Sequence, residues 1–347
     1  MRTKRVVIIG AGIGGLAAAV ELSAHGLDVT ILERAQTPGG KMREVEAGGL
    51  RIDAGPTVFT MRWVFEDILA TAGTSLDAEL ELEQAEIIAR HAWSADQRLD
   101  LFADLHRSAD AVAAFAGPDE GRRFLAFSDD ARAIYRTLKG PFISGSRTNP
   151  IGLTRRVGPA GIGGLFNIKP FSTMWKALAG HFRDPRLRQL FGRYATYAGS
   201  SPYLAPATLM LIAHVEQEGV WLVKGGMHQL AVALARVAER NGATIRYGAE
   251  VAEILTERGR ACAVRLAGGD GQRIDADAVV LNADVSAPGN GLLGTQVVRA
   301  VPPTAPTDRS LSALTWNLAA RTSGFPLLRH SVFFSSDYPA EFDDIFQ

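Results

Sequence analysis

The sequence predicts an α/β protein in which a lobe built on a parallel sheet is interrupted by an inserted lobe of mixed strands and helices. Three observations predict this class. An apolar strand, a glycine-rich turn and a helix follow one another directly at the N-terminus. The same strand–helix alternation returns after Trp221. The residues between these two regions mix helical and strand patterns, which is typical of an insertion.

The first predicted element is a βαβ unit. Lys4–Ile9 is rich in valine and isoleucine and predicts a buried strand, and Gly14–His25 has the apolar spacing of a helix. Gly26 is placed to end that helix as a C-terminal cap. Val29–Glu33 is a second β-branched strand, so the unit has the length of about 30 residues that such a motif requires.

The elements that follow divide the chain. Helices are predicted at Met61–Ala72, Leu105–Lys139 with a break near Gly117, Ser172–Phe182, Pro185–Tyr197, Pro206–Glu216 and Gly226–Asn241. Strands are predicted at Ile87–Trp93, Arg98–Phe102, Thr244–Tyr247, Val251–Thr256, Ala261–Ala267, Ala278–Asn282, Ser312–Ala319 and Ser331–Ser335. Arg51–Thr60 is predicted to be a loop. We therefore expect a discontinuous nucleotide-binding lobe of residues 1–75 and 220–300, and a second lobe of residues 76–219 and 301–347.

The first glycine-rich turn has the spacing with which a strand–helix turn binds a dinucleotide. Gly10 permits the tight turn, Gly12 lets the backbone approach a pyrophosphate, and Gly15 lets the helix pack against the strand. The helix N-terminus then offers free N–H groups and a positive dipole end to the phosphates. Glu33 ends the second strand about 20 residues later, where an acid accepts hydrogen bonds from a ribose. The alternative is a tight turn beside a surface glutamate.

A second glycine pair follows the acid and favours FAD over NAD. After Glu33 the chain continues with Arg34 and reaches Gly39-Gly40-Lys41. The pair gives the backbone another close approach to the pyrophosphate, and Lys41 adds a positive point charge. Such a doublet is typical of FAD proteins and is usually lacking in NAD dehydrogenases. The alternative is an ordinary turn.

The hexapeptide AGIGGL occurs twice, at Ala11–Leu16 and at Ala160–Leu165. No β-branched strand precedes the second copy, and Pro159 stands where the first copy has its leading glycine. Pro170 interrupts any long helix after it. Because the motif needs its flanking strand and helix to bind phosphate, we expect the second copy to be a loop.

Composition argues against several functional classes. Lys+Arg and Asp+Glu both number 37, so the chain lacks the basic excess of a nucleic-acid-binding protein. Cys262 is the only cysteine, which excludes an internal disulfide and fits a reducing compartment. No apolar run reaches the roughly 18 residues of a membrane-spanning helix, and no cleaved presequence is predicted. The 7 histidines are scattered, so we predict no metal site and name no catalytic acid or base.

Several segments together make the chain similar to a known family. They read VVIIGAGIGGLAAAVEL, ILERAQTPGGKM, RIDAGPTVFTM and FGRYATYAGSSPYLAPATLMLIAHVEQEGVWLVKGGMHQLAVAL. They resemble bacterial phytoene-desaturase-type carotenoid oxidoreductases, which are amine-oxidase-like flavoproteins. The segments DAGPTVFTMRWVFED and HSVFFSSDYPAEFDDIF resemble most the hydroxyneurosporene (methoxyneurosporene) desaturase branch. The resemblance covers essentially the whole chain.

The resemblance implies a Rossmann-type FAD-binding lobe with an inserted mixed α+β substrate lobe. It implies that FAD is bound by Gly10, Gly12, Ile13, Gly14, Gly15, Glu33, Arg34, Gly39, Gly40, Lys41, Pro56, Thr57, Val251, Asn282, Ala283 and Asp284. The segment Asp53–Thr57 would pass near the isoalloxazine, the backbone of Val251 would read the adenine, and Asn282–Asp284 would close over the FAD. Lys41 stands where the family often has arginine. Family members continue with a second glycine-rich FAD segment, so we expect a chain truncated at its C-terminus.

The resemblance also implies a function. We expect an FAD-dependent carotenoid desaturase that introduces a C–C double bond by hydride transfer to the flavin, with 3,4-desaturation of a 1-hydroxycarotenoid as its reaction. The alternatives are a phytoene desaturase, a carotenoid isomerase, another amine-oxidase-like flavoenzyme and an inactive truncated remnant. Because carotenoids dissolve in membranes, we expect a cytoplasmic protein bound peripherally to the inner or photosynthetic membrane. Pro141–Phe182 mixes basic and aromatic residues and is the candidate membrane contact, with a loop between helices as the alternative.

Overall fold

A computed structural model of the chain describes residues 3–145, 152, 168–169, 171–268, 271–305 and 309–346. The second AGIGGL copy and much of the candidate membrane contact lie outside these residues. The chain forms two compact units. Unit 1 comprises Met1–Glu83, Trp221–Arg309 and Leu314–Ala320, and unit 2 comprises Gln84–Val220, Ser310–Ala313 and Arg321–Gln347. The assignment of a cofactor role and a substrate role to the two predicted lobes stays a prediction.

The strands follow in chain order. They are β1 (Arg5–Ile9), β2 (Asp28–Leu32), β3 (Glu44–Ala47), β4 (Leu50–Asp53), β5 (Leu82–Gln84), β6 (Ile87–Ala92), β7 (Arg98–Phe102), β8 (Trp221–Val223), β9 (Thr244–Arg246), β10 (Val251–Glu257), β11 (Arg260–Leu266), β12 (Arg273–Asp275), β13 (Ala278–Leu281) and β14 (Ser331–Phe333). Most of these strands are short, and they form several small sheets.

The α-helices are also numbered along the chain. They are α1 (Ile13–Ala24), α2 (Arg62–Thr71), α3 (Leu76–Glu79), α4 (Leu105–Ala116), α5 (Pro118–Leu138), α6 (Met174–His181), α7 (Pro185–Gly192), α8 (Leu211–Glu218), α9 (His228–Arg240), α10 (Ser286–Gly289) and α11 (Tyr338–Phe346). A π-helical turn covers Lys139–Ile143, and 3₁₀ turns cover Arg193–Ala198, Ala207–Met210 and Thr295–Ala300.

Unit 1 is built on a parallel sheet with the order β13-β1-β2-β9. β1 lies at its centre, with Val6 opposite Ala278 on one side and Val29 on the other. Successive side chains of a strand point to opposite faces, so β1 serves two cores. Val6 and Ile8 join the core that contains α1 and α9, whereas Val7 joins the core that contains β10 and β11.

The predicted βαβ unit is confirmed. β1, α1 and β2 lie within one residue of the predicted bounds, and Gly26 takes a left-handed φ of +77° where the helix was expected to end. α1 carries small buried residues on its inner face, including Gly15 and Ala19. They let the helix lie close to the sheet, which brings its N-terminus to the carboxyl end of β1.

Unit 2 combines a small sheet with a helical layer. β14 pairs parallel with β6, which pairs antiparallel with β7. The predicted helical run after Leu105 is broken at Gly117, which has a φ of +103° that favours glycine, and Pro118 begins the next helix. The core is aromatic, and the rings of Phe127 and Phe182 lie 4.6 and 5.0 Å from that of Phe191.

Two predictions of secondary structure are wrong. Ser312–Ala319 alternates apolar and polar residues, but in the described part of the chain this segment forms no strand, because a strand needs a neighbour with which to pair. Leu314, Trp316 and Leu318 are consequently exposed to 76% or more. Arg51–Thr60 was expected to be a loop, yet its first three residues belong to β4, which pairs with β3 as a hairpin.

Candidate functional site

The first glycine turn connects β1 to α1. Gly10 has a φ of +98°, and its N–H donates to the Leu32 carbonyl oxygen over 2.8 Å. A Cβ atom at Gly10 would lie 2.8 Å from the Asn282 carbonyl oxygen, and one at Gly15 would lie 2.1 Å from the Gly10 carbonyl oxygen. The turn is therefore tight for the reason that the spacing predicted, and it needs glycine on both sides.

The N-terminus of α1 opens beyond this turn. Gly12 is the N-cap, Ile13 and Gly14 begin the helix, and no side chain caps it. The first turn also carries no acidic residue. The first N–H groups of an α-helix have no partner within the helix, and they form the positive end of its dipole. This end of α1 can therefore accept an anionic group such as a pyrophosphate.

Glu33 lies directly after β2 and is buried, with 7% of its surface exposed. Its Oε2 accepts a hydrogen bond of 2.7 Å from the Ala11 N–H, and its Oε1 accepts one of 2.8 Å from the Ala35 N–H. The carboxylate therefore joins the glycine turn to the segment after β2. Each oxygen retains a second lone pair, so the carboxylate can still accept the predicted hydrogen bond from a ribose hydroxyl.

The second glycine pair packs directly against the first turn. The Gly39 N–H donates to the Ala11 carbonyl oxygen over 2.8 Å, and Gly39 forms a parallel bridge with Gly12. A Cβ atom at Gly40 would lie 3.1 Å from the Gly12 Cα. Lys41, which follows, is exposed. The two glycine motifs, which the sequence separates by more than 20 residues, thus form one continuous backbone surface.

The segment after β13 completes this surface. The Asn282 N–H donates to the Ile9 carbonyl oxygen over 2.9 Å, and its Nδ2 lies 3.3 Å from the Gly10 carbonyl oxygen. Ala283 and Asp284 are exposed beside it. Hydrogen bonds from Ser286, helped by the charge of Lys41, hold the pKa of Asp284 below its ordinary value.

The remaining predicted site residues occupy less constrained positions. Arg34, Pro56 and Thr57 are exposed. Val251 begins β10 and its side chain belongs to a hydrophobic core, so any contact with a ligand would come from its backbone. The chain just before it is bound to the Glu33 segment, because the Ala249 N–H donates to the Glu33 carbonyl oxygen over 2.8 Å. The assignment of all these residues to the cofactor stays a prediction.

Sequence reasoning missed part of what Glu33 does. It treated the carboxylate as a ligand for ribose, whereas the structure shows that it also binds the N–H of Ala11. Ala11 is completely buried, so that N–H needs an acceptor within the protein. The sequence signal that could have indicated this bond is an alanine between Gly10 and Gly12, combined with an acid that directly follows the next apolar strand.

Two negative findings concern the described part of the chain. None of its helices is long and apolar enough to cross a membrane. Within the same residues, no group of three or more His, Cys, Asp or Glu side chains is placed to hold a metal ion.

Four features together define a Rossmann-type dinucleotide-binding protein. They are the parallel order β13-β1-β2, the glycine turn at a helix N-terminus, the buried acid after β2 and the second glycine pair. The sequence pattern of the flavin-containing amine oxidoreductases matches residues 13–305, and the chain belongs to this family. The predicted fold class, the flavin cofactor and the resemblance to this group of flavoproteins are thereby confirmed.

Individual relatives give finer comparisons. The chain is 55% identical over its full length to a hydroxyneurosporene desaturase of Rubrivivax gelatinosus and spans 66% of that protein. It is 45% identical, over 98% of its length, to the hydroxyneurosporene desaturase of Cereibacter sphaeroides and spans 68% of that protein. Among solved structures, an oxidoreductase from Methanosarcina mazei is 19% identical and has a TM-score of 0.56. The structural match covers 84% of this chain and 61% of the other. The chain therefore spans about two thirds of the length of these relatives.

Proposed function

We propose that this chain provides the FAD-binding lobe and part of the substrate lobe of a carotenoid desaturase. The observation that carries the proposal is the continuous backbone surface formed by the two glycine motifs, in a chain 55% identical over its full length to a hydroxyneurosporene desaturase. When bound, the flavin would accept a hydride from the substrate, so the difficult chemistry would belong to the cofactor.

The residues present fit an FAD pyrophosphate. The N-terminus of α1 has neither a side-chain cap nor an acidic residue that would repel phosphate. Gly12, Gly14 and Gly40 add no side chain of their own beside it, and the nearest side chain at Gly12 and Gly14 is the flexible Asn282 amide. Lys41, which is exposed, supplies a positive charge. Glu33 keeps an acceptor for a ribose hydroxyl. In this assignment the protein binds and orients the cofactor and excludes water, whereas the bond changes would occur on the carotenoid and the flavin.

We propose 3,4-desaturation of a 1-hydroxycarotenoid as the particular reaction. The support is that two relatives named hydroxyneurosporene desaturase match nearly the whole chain at 55% and 45% identity. In such a reaction two adjacent carbons each lose a hydrogen, one as a hydride to the flavin and one as a proton. The alternatives, a phytoene desaturase, a carotenoid isomerase or an inactive chain, are outcomes of the same experiment.

We propose further that the protein binds the membrane surface peripherally, on the cytoplasmic side. The support lies in the described part of Pro141–Phe182, where Phe171 is completely exposed and Phe142 is 52% exposed. Exposed aromatic rings beside basic residues are typical of surface anchoring. Liposome flotation tests this proposal: wild-type protein should float, and a Phe171→Glu/Trp175→Glu variant should remain in the soluble fraction.

Pigment analysis tests the proposed function. The chain is expressed, alone and joined to the remaining third of the Rubrivivax relative, in bacteria that make 1-hydroxyneurosporene. The expected result is a product with one more conjugated double bond. Conversion of phytoene in a second host that accumulates it, with 1-hydroxyneurosporene left unchanged in the first, would indicate a phytoene desaturase. An unchanged pigment in both arms would contradict the proposal.

Gly12→Val is the variant expected to fold like the wild type but to lose flavin binding. The φ of Gly12 is −69°, and a Cβ atom there would meet only the flexible Asn282 side-chain amide at 2.9 Å, so the variant should fold. Its side chain would occupy the space that a pyrophosphate needs. We expect flavin absorbance in the purified wild-type protein and none in the variant. Equal flavin content in both proteins would refute the site.

A further inference from the structure

Another glycine pair, Gly225-Gly226, precedes α9 and looks like an anion-binding turn at a helix N-terminus. In the structure that position is occupied by a carboxylate of the protein. Asp53 Oδ2 accepts a hydrogen bond of 2.8 Å from the Met227 N–H, and its Oδ1 accepts one of 3.1 Å from the His228 N–H. Asp53 therefore caps α9 from a position 174 residues away in the chain.

Gly226 is needed for this cap. Its φ is +99°, which disfavours any other residue. A Cβ atom there would lie 2.8 Å from Asp53 Oδ2 and 3.0 Å from Asp53 Oδ1. Asp53 ends β4, and the next residues pass close to the second glycine motif: the Ala54 N–H donates to the Arg43 carbonyl oxygen over 2.8 Å.

His228, the first residue of α9, extends the connection to that motif. It is buried, with 3% of its surface exposed, and its Nε2 lies 2.9 Å from the Pro38 carbonyl oxygen. Because a carbonyl oxygen only accepts, Nε2 must carry the proton and donate. The ring also packs against Gly39, where a Cβ atom would lie 3.2 Å from His228 Cδ2.

We propose that Asp53 and His228 are positioning residues of the cofactor site. Asp53 sets the start of α9, His228 at that start holds the Pro38 carbonyl, and the next residue, Gly39, is bound to Ala11 of the first glycine turn. Through these bonds the two residues hold the second glycine pair in the place where it can approach a pyrophosphate. The proposal rests on the assignment of FAD to this site.

The test compares four variants with the wild-type chain, of which the fourth, His228→Gln, is a rescue of the second. Asp53→Asn keeps the size of the side chain but confronts one of the two N–H groups with an amide NH₂, and His228→Leu removes the donor to Pro38. Asp104→Asn is the matched control, because Asp104 caps α4 in unit 2 by accepting a hydrogen bond of 2.7 Å from the Arg107 N–H. FAD binding is measured by quenching of flavin fluorescence, and local order by hydrogen exchange of the Gly39 and Met42 amides.

We expect the Kd for FAD to rise about 10-fold in Asp53→Asn and in His228→Leu, which corresponds to about 1.4 kcal/mol. Exchange at Gly39 and Met42 should accelerate in the same two variants. Asp104→Asn should lower the melting temperature as they do but leave the Kd and these amides unchanged. His228→Gln, which retains an N–H donor, should recover at least part of the affinity.

Equal Kd values and equal exchange at Gly39 in Asp53→Asn and Asp104→Asn would overturn the proposal, since Asp53 would then be only one helix cap among others. The proposal would also be overturned if His228→Gln failed to recover FAD affinity and if exchange at Gly39 and Met42 were unchanged in His228→Leu. If wild-type protein binds no FAD, the proposed function fails instead. Faster exchange at Gly39 in Asp53→Asn and His228→Leu would then still show that these two residues hold the second glycine pair in place.

Discussion

Two of the buried carboxylates, Glu33 in unit 1 and Glu216 in unit 2, have different kinds of partner. Among the described residues, Glu33 accepts its hydrogen bonds from backbone N–H groups, those of Ala11 and Ala35. Glu216 in unit 2 accepts from side chains, at 2.6 Å from Tyr194 Oη and 2.8 Å from Tyr197 Oη. The first arrangement sets the path of a loop that a ligand could approach, whereas the second holds helices together.

The group around Glu216 is charged and mostly buried. Arg193 Nη2 lies 3.4 Å from Glu216 Oε2, and their side chains are 11% and 5% exposed. Burial would lower the pKa of the Arg193 guanidinium, but the charge of Glu216 and the neighbouring tyrosines raise it, so the guanidinium stays charged. Burial, together with the Arg193 charge, lowers the pKa of His91 well below its usual range. Neutral His91 can therefore accept from Arg193 Nη2 over 3.3 Å.

The largest effect is expected from Glu216→Ala. It leaves the Arg193 charge buried without its carboxylate, which costs about 3–5 kcal/mol of folding free energy. Because two compact units need not unfold together, the loss is measured by hydrogen exchange at α8 in urea rather than by one global transition. Glu218→Ala is the control, since that side chain is 41% exposed and its loss should cost less than about 0.5 kcal/mol. Equal losses of folding free energy in Glu216→Ala and Glu218→Ala would show that the buried ion pair does not stabilise unit 2 more than a surface carboxylate does.

A smaller effect on stability but a larger one on the cofactor is expected from Glu33→Ala. The buried Ala11 N–H would lose its acceptor at a cost of about 1–3 kcal/mol, whereas the exposed Ala35 N–H can turn to water. Because the same bond holds the first glycine turn, FAD affinity should fall by more than about 10-fold. Calorimetric titration with FAD measures this, with Glu21→Ala on the outer face of α1 as control. If Glu33→Ala bound FAD like Glu21→Ala, the carboxylate would have no part in the site.

Contacts within one βαβ unit are predictable from the sequence, whereas contacts between distant segments are not. The glycine turn, α1 and Glu33 were predictable because the determining residues are neighbours within one βαβ unit. The cap of α9 by Asp53 was not, since a contact across 174 residues leaves no local pattern. The Glu216 group was missed for the same reason: Arg193 and Glu216 look like surface charges until helix packing buries them.

Ser312–Ala319 shows the opposite failure. Its alternation of apolar and polar residues is a correct local signal for extended backbone, and the segment is indeed not helical. A strand, however, is defined by hydrogen bonds to a second chain segment, and the sequence of one segment cannot supply them. Local patterns therefore predicted conformation well in this protein, whereas pairing and long-range capping required the structure.

The smallest effect is expected from a third carboxylate, Glu79, whose partners are half exposed. Arg240, followed by Thr74 and Arg236, donates to Glu79 and lowers its pKa from 4.5 to about 2. A lowered pKa stabilises the folded state fully above pH 4.5, and this contribution is lost as the pH falls towards 2. Because Arg236 and Arg240 are 55% and 50% exposed, the contribution is about 1 kcal/mol or less.

Hydrogen exchange at α9 in urea, for wild type and Glu79→Gln at several pH values, measures this contribution. Their difference in unfolding free energy should be largest near pH 7, should shrink below pH 4.5 and should fall when about 1 M salt screens the exposed partners. The corresponding loss in Glu216→Ala should change little with salt, because the side chains of Arg193 and Glu216 are only 11% and 5% exposed. A Glu79 difference that grew as the pH fell would mean that the carboxylate is protonated in the folded protein, and that its arginine partners do not hold it.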